Sequence, residues 1–362
     1  MNVLVLKTGH RSLEYSYFFG GPPQAQLAGR VDDYRGTDQS RSALSKMCGR
    51  IQLVRRRAED GRDVDAIGVC VQFGGAEFRR PTPVSADVLE KIEKLVPHAP
   101  LHLPAVLTLI RCCKDVFPGT PVVLAFQTAF FAGLASRERL YALENGLTKS
   151  LGLRRYGFHG ILHEAACHHV ARLRRKRGIR AAARVLSLCL GPRPELAAVI
   201  GSRPLMVTSG ATPLEGIPGE TVCGELDPSV VLTLREKMEW GPEKINMVLT
   251  QESGLLGLVG EPTTIQTLFE SDNPDVKEAR EIVQYRILQA CGAGIAAMGG
   301  LDAIVFSGRY AAVGELHGPW LASRLVPRNQ QGISFERFEE SLERIVADVA
   351  SAAALAKDEQ AA

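Results

Sequence analysis

The sequence predicts an α/β protein built on mixed sheets. Short β-rich runs crowd the opening, "NVLVL" (2–6), "SLEYSYFF" (12–19) and "QAQLAGRV" (24–31), and read as a hairpin-rich meander. Helical and strand patterns then alternate through the rest of the chain, which is the pattern of sheets covered by helices. At 362 residues the chain is long enough for two domains.

Taken in order, a helical pattern surrounds "SALSKMCGRIQLVRRRAED", and the strand "AIGVCVQF" (66–73) stops at Gly74-Gly75. "SADVLEKIEKLV" (85–96) has helical spacing behind a Ser N-cap. "TPVVLAF" (120–126) reads as a buried strand ending at Gln127. Later come "RVLSLCL", "AAVIG", "DPSVVLTLREKM", the long helix through Tyr285, and "AIVFSG". Two units of strand–strand–strand–helix–strand–helix–strand type fit this order, although no sequence repeat is visible. The tail "FERFEESLERIVADVASAAALAK" reads as one amphipathic helix.

Composition narrows the function classes. The net charge of +3, from 43 basic and 40 acidic side chains, is too balanced to point to nucleic acid or a membrane. "MNVLVLKTGH" lacks the features of a signal peptide, and "PAVLTLI" and "AFFAGLA" are too short to span a bilayer. Eight cysteines without a CxxC spacing read as reduced thiols in the cytoplasm. The run "ARLRRKRG" (171–178) reads as a solvated helix end before a Gly stop. "HEAACHH" (163–169) lacks the HExxH spacing and sets its histidines on different helix faces.

The stretch "LSLCLGPRPELAAVI" (186–200) poses a question. Strand–turn–strand units often hold phosphate on backbone N–H groups, yet Pro192 and Pro194 have none to offer and Glu195 adds a negative charge.

Seven stretches occurring in order resemble the acetate and propionate kinase (acetokinase) family of the sugar kinase/Hsp70/actin superfamily. They are "APLHLPAVL" (99–107), "FQTAF" (126–130), "RRYGFHG" (154–160), "TPLEG" (212–216), "ELDPSVVLTL" (225–234), "SGLLGL" (253–258) and "GGLDAIVFSG" (299–308). The resemblance spans roughly residues 1 to 310. It implies a two-domain actin-like fold with mixed five-stranded sheets and an interdomain cleft. The first domain would take residues 1–129, with a C-terminal helix at 333–362 packing back on it. The second, 130–332, would carry the nucleotide side and the dimer interface.

The family's reaction moves the γ-phosphoryl of ATP to a short carboxylate with Mg2+, so two anions must meet among cations. By resemblance His102 and His159 are the retained catalytic histidines, with satisfied structural histidines as an equally open reading. Leu101, Phe158 and Pro213 are the remnant of the apolar substrate wall, with simple core packing as the plainer reading, and Gln72 replaces a wall valine. Lys7 falls on the family's metal-side asparagine, Cys70 and Val222 on its two arginines, and Gln127 on its aspartate. "EESL" (339–342) is the nearest match to its late glutamate. Its phosphate turn is "CLGPRPE" and its adenosine turn "SGRYAAV", leaving Gly191 and Gly308 as nucleotide-side glycines.

Losing one transition-state cation or donor costs about 10²–10⁵ in rate, though such losses do not simply multiply. The expectation is therefore a pseudokinase of organic acid metabolism, cytoplasmic, with no cofactor and no metal. It would act as a homodimer or beside an active relative, sensing a small carboxylate or acyl phosphate, with no nucleic-acid or membrane partner. The alternative is a divergent active acetate or propionate kinase using ATP and Mg2+, with Lys7, Arg193 or Arg309 restoring the positive charge. A further possibility is a soft-metal or thiol site formed by Cys70, Cys189 and Cys223.

Overall fold

The opening runs do fold as a meander: β1 (Val3–Thr8), β2 (Ser12–Phe18) and β3 (Leu27–Asp32) pair antiparallel in sequence order. The structure, a computed structural model, describes residues 1–9, 12–20, 24–34, 39–57, 64–325 and 333–361. The chain divides into two units, Met1–Ala132 with Glu340–Ala362, and Gly133–Glu339.

In the first unit, helix α1 (Gln39–Arg57) carries the chain to β4 (Ala66–Val71), which pairs parallel with β1. Then follow β5 (Thr82–Pro83), α2 (Ala86–Leu95), α3 (Leu103–Val116) and β6 (Val122–Phe126), the last parallel to β4. The strands lie in the order β3-β2-β1-β4-β6-β5. Central strands β4 and β6 are buried at every residue, so their sequences run continuously apolar, whereas β3 near the edge alternates. Ser85 caps α2 by accepting a hydrogen bond from the Val88 N–H at 3.2 Å.

The second unit begins with α4 (Ser136–Arg139), α5 (Asn145–Ser150) and α6 (Gly160–Lys176). Its meander is β7 (Arg184–Cys189), β8 (Glu195–Ile200) and β9 (Arg203–Val207). Helices α7 (Pro228–Lys237), α8 (Pro242–Gln251), α9 (Gly254–Val259), α10 (Ile265–Glu270) and α11 (Pro274–Met298) precede β10 (Ala303–Ser307). Helix α12 (Val313–Leu325) leads to β11 (Ser334–Arg337), and the strand order is β11-β10-β7-β8-β9. Each unit is thus a three-stranded antiparallel meander extended by parallel strands, with the short β5 added antiparallel at the edge of the first. One face of the second sheet presents Leu186, Leu188, Leu196, Ile304 and Phe306 to a core shared with α11. That helix buries Val276, Ala279, Val283, Ile287 and Cys291, a stripe at three- and four-residue spacing.

Two expectations need correction. The sheets have six and five strands, not five each, because Thr82–Pro83 adds a short strand beside β6. Pro83 has no N–H to donate, which confines that strand to the edge. The tail is not one helix: Ser334–Arg337 pairs parallel with β10, and the helix α13 (Leu342–Ala361) starts later. Sheet pairing there overrides a helix-like apolar pattern. Among the described residues no helix is long and apolar enough to cross a membrane.

Helix α13 belongs to the first unit and packs on β1, β4 and β6. The contact is close because Gly68 faces it without a side chain. A Cβ there would lie 2.8 Å from Val346 Cγ1 and 3.3 Å from Ala350 Cβ. Gly68→Val is therefore expected to overpack the helix–sheet contact and lower stability by about 1–3 kcal/mol, read as a lower urea midpoint at unchanged sheet content by circular dichroism.

Candidate functional site

Some of the candidate residues cluster within each unit, and others stand apart. In the first unit the parallel pairing of β1 with β4 sets Lys7 opposite Cys70. Gln127, the residue after β6, donates its Nε2 to Cys70 Sγ at 3.6 Å. Three positions singled out in the sequence as degenerate therefore lie side by side. None carries free charge. The Lys7 ammonium donates to Glu14 at 2.8 Å and stands 3.7 Å from Glu343 of α13. Partial burial disfavours its charge, but the Glu14 hydrogen bond and both carboxylates outweigh it and hold Lys7 above its ordinary pKa. Burial pushes the Cys70 thiol up to about 12, against the pull of Lys7.

Also in this unit, Gln72 is half-buried just past β4, and His102 is the half-buried N-cap of α3, its N–H donating to Ala99 O at 3.1 Å. Leu101 is 60% exposed. It is not a core residue, so the packing explanation fails for it.

In the second unit the polar centre is Glu195, a residue read in the sequence only as an intrusion into a phosphate turn. It faces Cys189 across the β7–β8 pair, and its carboxylate is 1% exposed. The carboxylate accepts hydrogen bonds from the Phe158 N–H at 2.9 Å and the His159 N–H at 2.9 Å, donors at the start of α6. His163, one helical turn into α6, places Nε2 3.3 Å from the same carboxylate and pairs its Nδ1 with Ser187 Oγ at 2.8 Å. A helix N-terminus favours an anion, and here the protein supplies its own. Burial alone would raise the Glu195 pKa; the His163 hydrogen bond, the two histidines' charge and Ser209 outweigh it and hold the carboxyl at about 2.

His159 caps α6, and its Nε2 lies 3.1 Å from Arg193 O. Burial would depress this imidazole, but the Cys189 sulfur and Glu195 push it up to about 9. Phe158 is buried, while Pro213 is half-buried in the loop after β9. Val222 is 2% exposed and packed beneath the former phosphate turn: Gly219 N–H donates to Val222 O at 3.0 Å, and the next N–H, of Glu220, to Pro192 O at 2.8 Å.

The two nucleotide-side glycines divide. A Cβ on Gly191 would meet nothing within 4 Å, whereas Gly308 sits at φ +85°, where a Cβ would lie 2.6 Å from Leu190 O. Gly308 thus lets the ends of β7 and β10 approach, a structural need. The soft-metal possibility finds no support, because among the described residues no group of three or more His, Cys, Asp or Glu could hold a metal. The signal for the Glu195 cluster was in the sequence: residues 189 and 195 flank a tight turn and must face each other, and His159 and His163 share one helix face.

Glu195→Gln removes the one negative group that the two histidines and the helix start surround. It is expected to cost about 3–5 kcal/mol at neutral pH, measured by chemical denaturation. The sign for acid follows from the depressed carboxyl. Its contribution is complete above the ordinary value of 4.5 and is lost as pH falls toward about 2. The variant should therefore show a shallower acid limb than the parent.

Comparison with known proteins bears on this arrangement. A model of the acetokinase family matches residues 28–318. The acetate kinase of Halothermothrix orenii is 31% identical over 339 residues, covering 87% of this chain and 84% of the relative. That of Rhodopseudomonas palustris (strain ATCC BAA-98 / CGA009) is 38% identical over 246 residues, 68% of this chain and 61% of the relative. The crystal structure of Porphyromonas gingivalis acetate kinase superposes with a TM-score of 0.84 at 23% identity, covering 97% of this chain and 99% of that one. A propionate kinase from Francisella tularensis gives 0.81 at 24%, with 97% and 99% covered. These two likenesses speak for the fold, an actin-like pair of α/β domains.

Proposed function

The chain belongs to the acetokinase family, and from that premise we propose that it is a pseudokinase: a family member that has kept the scaffold and given up phosphoryl transfer. The observation that carries this reading is Glu195, whose carboxylate occupies the backbone donors at the start of α6. Phosphate groups brought to this edge would meet a fixed negative charge and a turn whose Pro192 and Pro194 offer no N–H. ATP and Mg2+ therefore do not fit the residues present. Lys7 adds support, since its ammonium is already neutralised by Glu14 and Glu343. So does Val222, an apolar buried side chain where the resemblance implies an arginine.

On this reading the protein is cytoplasmic and works by binding. Within the second unit, Phe158 and His159 are what remains to recognise a small carboxylate or an acyl phosphate. Self-association, or pairing with an active relative, runs through the second unit. Helix α7 supports that choice, because it buries none of its residues and leaves Val230 and Leu232 exposed. A ten-residue helix is marginal in water on its own, and a partner surface would cover the face that α7 leaves exposed.

A second reading, a divergent working acyl kinase, draws on Arg193 and Arg309, both exposed on the turns that follow β7 and β10. A thermal-shift panel and a hydroxamate assay separate the two. Millimolar Mg-ATP is expected to leave the melting temperature unchanged, where true binding would raise it, and acetate or propionate is expected to give no hydroxamate. Hydroxamate formation that needs ATP and Mg2+ and disappears in His159→Ala would establish the kinase instead. For the assembly, Leu232→Glu is expected to convert a dimer to a monomer in light scattering, and a parent that is already monomeric would refute the α7 interface.

A further inference from the structure

Helix α6 starts at the Glu195 cluster and ends at the opposite end of β7, and the chemistry of that far end differs. Residues 172–180 hold six cations, Arg172, Arg174, Arg175, Lys176, Arg177 and Arg180, and no acid. The whole chain carries only +3, so the remainder is net negative and the positive charge is concentrated here. Three basic residues in a last turn are ordinary complements of the helix dipole; six exceed that need. The turn is closed by Gly178 at φ +79°, with Gly178 N–H to Arg175 O at 2.9 Å and Ile179 N–H to Arg174 O at 2.9 Å, which wraps Arg180 back toward the helix end. Gly201 N–H donates to Ala183 O at 2.8 Å and brings the exposed Arg203 of the β8–β9 turn to the same end.

Little of this charge is satisfied within the chain. Arg177 pairs with Glu336 at 3.4 Å and Arg184 with Asp302 at 3.0 Å, which uses the two nearby carboxylates. Among the described residues, Arg175, Lys176, Arg180 and Arg203 form no ion pair. Residues 175–182 are exposed without interruption, and Ile179 stands 40% exposed among the cations.

We propose that this end of the second unit is a peripheral docking surface for the phosphate headgroups of an anionic bilayer. Guanidinium groups, which dominate the patch, bind phosphate oxygens through paired N–H donors. A blunt exposed turn with a single apolar residue at its tip matches a flat anionic sheet with an apolar layer beneath it. Nucleic acid fits less well: residues 171–184 contain no aromatic side chain on which a base could stack, and the patch is a helix end, not a helix side that could lie in a groove.

Vesicle co-sedimentation of the full chain tests the proposal. Binding is expected to vesicles containing about 30% phosphatidylglycerol in low salt, to fall steeply as salt is raised, and to be absent on pure phosphatidylcholine. Each basic side chain at such a surface contributes about fivefold in partition, so Arg175→Gln/Lys176→Gln/Arg180→Gln should bind about a hundredfold more weakly. Lys91→Gln/Lys94→Gln/Lys114→Gln removes the same charge from the first unit and should bind like the parent. If the first triple variant does not fold, Ile179→Asp serves in its place, with a loss of about tenfold expected. No sedimentation with anionic vesicles, equal losses in the two triple variants, or retention by duplex DNA but not by vesicles would each overturn the proposal.

Discussion

A charge with almost no access to water organises the second unit. Burying a carboxylate is unfavourable unless every lone pair finds a donor, and Glu195 finds them on two backbone amides, on His163 and on Ser209. Those donors come from separate pieces of chain: the start of α6, its second turn, and the loop after β9. The carboxylate is therefore a fastener, fixing where α6 begins relative to β7 and β8. It also answers the question raised by "CLGPRPE". The turn carries prolines, and the anion beside it is the protein's own side chain, one residue further on.

The first unit satisfies its charges in the same inward manner. Lys7 stands where the family resemblance implies a metal-side asparagine, and an ammonium there could in principle replace a lost cation. Its partners decide otherwise. Glu14 lies opposite it on β2 and Glu343 reaches it from α13, so the charge ties the last helix to the first strand. Cys70 and Gln127 complete the exchange with a weak N–H to sulfur contact beneath. Each of these side chains is thus satisfied by a neighbour within the unit.

Much of the fold was legible because its determinants are local. The meander of β1 to β3, the Ser85 cap and the stripe on α11 follow from alternation, a capping side chain and helical spacing. The strand at Ser334–Arg337 was not legible: four residues with mixed character become a strand only because β10 offers an edge to pair with. The same holds for Thr82–Pro83 beside β6. At the candidate site, His102 and His159 were found by motif, but Glu195 was read with the wrong sign of meaning. Sequence showed a negative charge entering an anion turn; only the pairing of residues 189 and 195 reveals that the charge is captured from behind. Leu101 erred in the other direction, since an apolar letter in a motif gave no hint of its exposure.

The replaced positions also bear on whether such a change could be undone. Val222 lies where two glycines press against it, one on its side chain and one on its backbone: a Cβ on Gly219 would come within 2.9 Å of Val222 Cγ2, and one on Gly254 within 2.6 Å of Val222 O. An arginine set there would need space that the packing does not leave, and its charge would be buried without a carboxylate assigned to it. Enlarging a filled core position costs about 1–3 kcal/mol before any charge is considered, and an unpaired buried charge costs several more. A single substitution would thus lower stability without restoring a clamp that needs several cations at once. Glu195 imposes the same order of events in reverse, because removing it unfastens α6 before any phosphate could take its place. Glu195 and Val222 thus hold the scaffold at the positions where the family resemblance implies reactive groups.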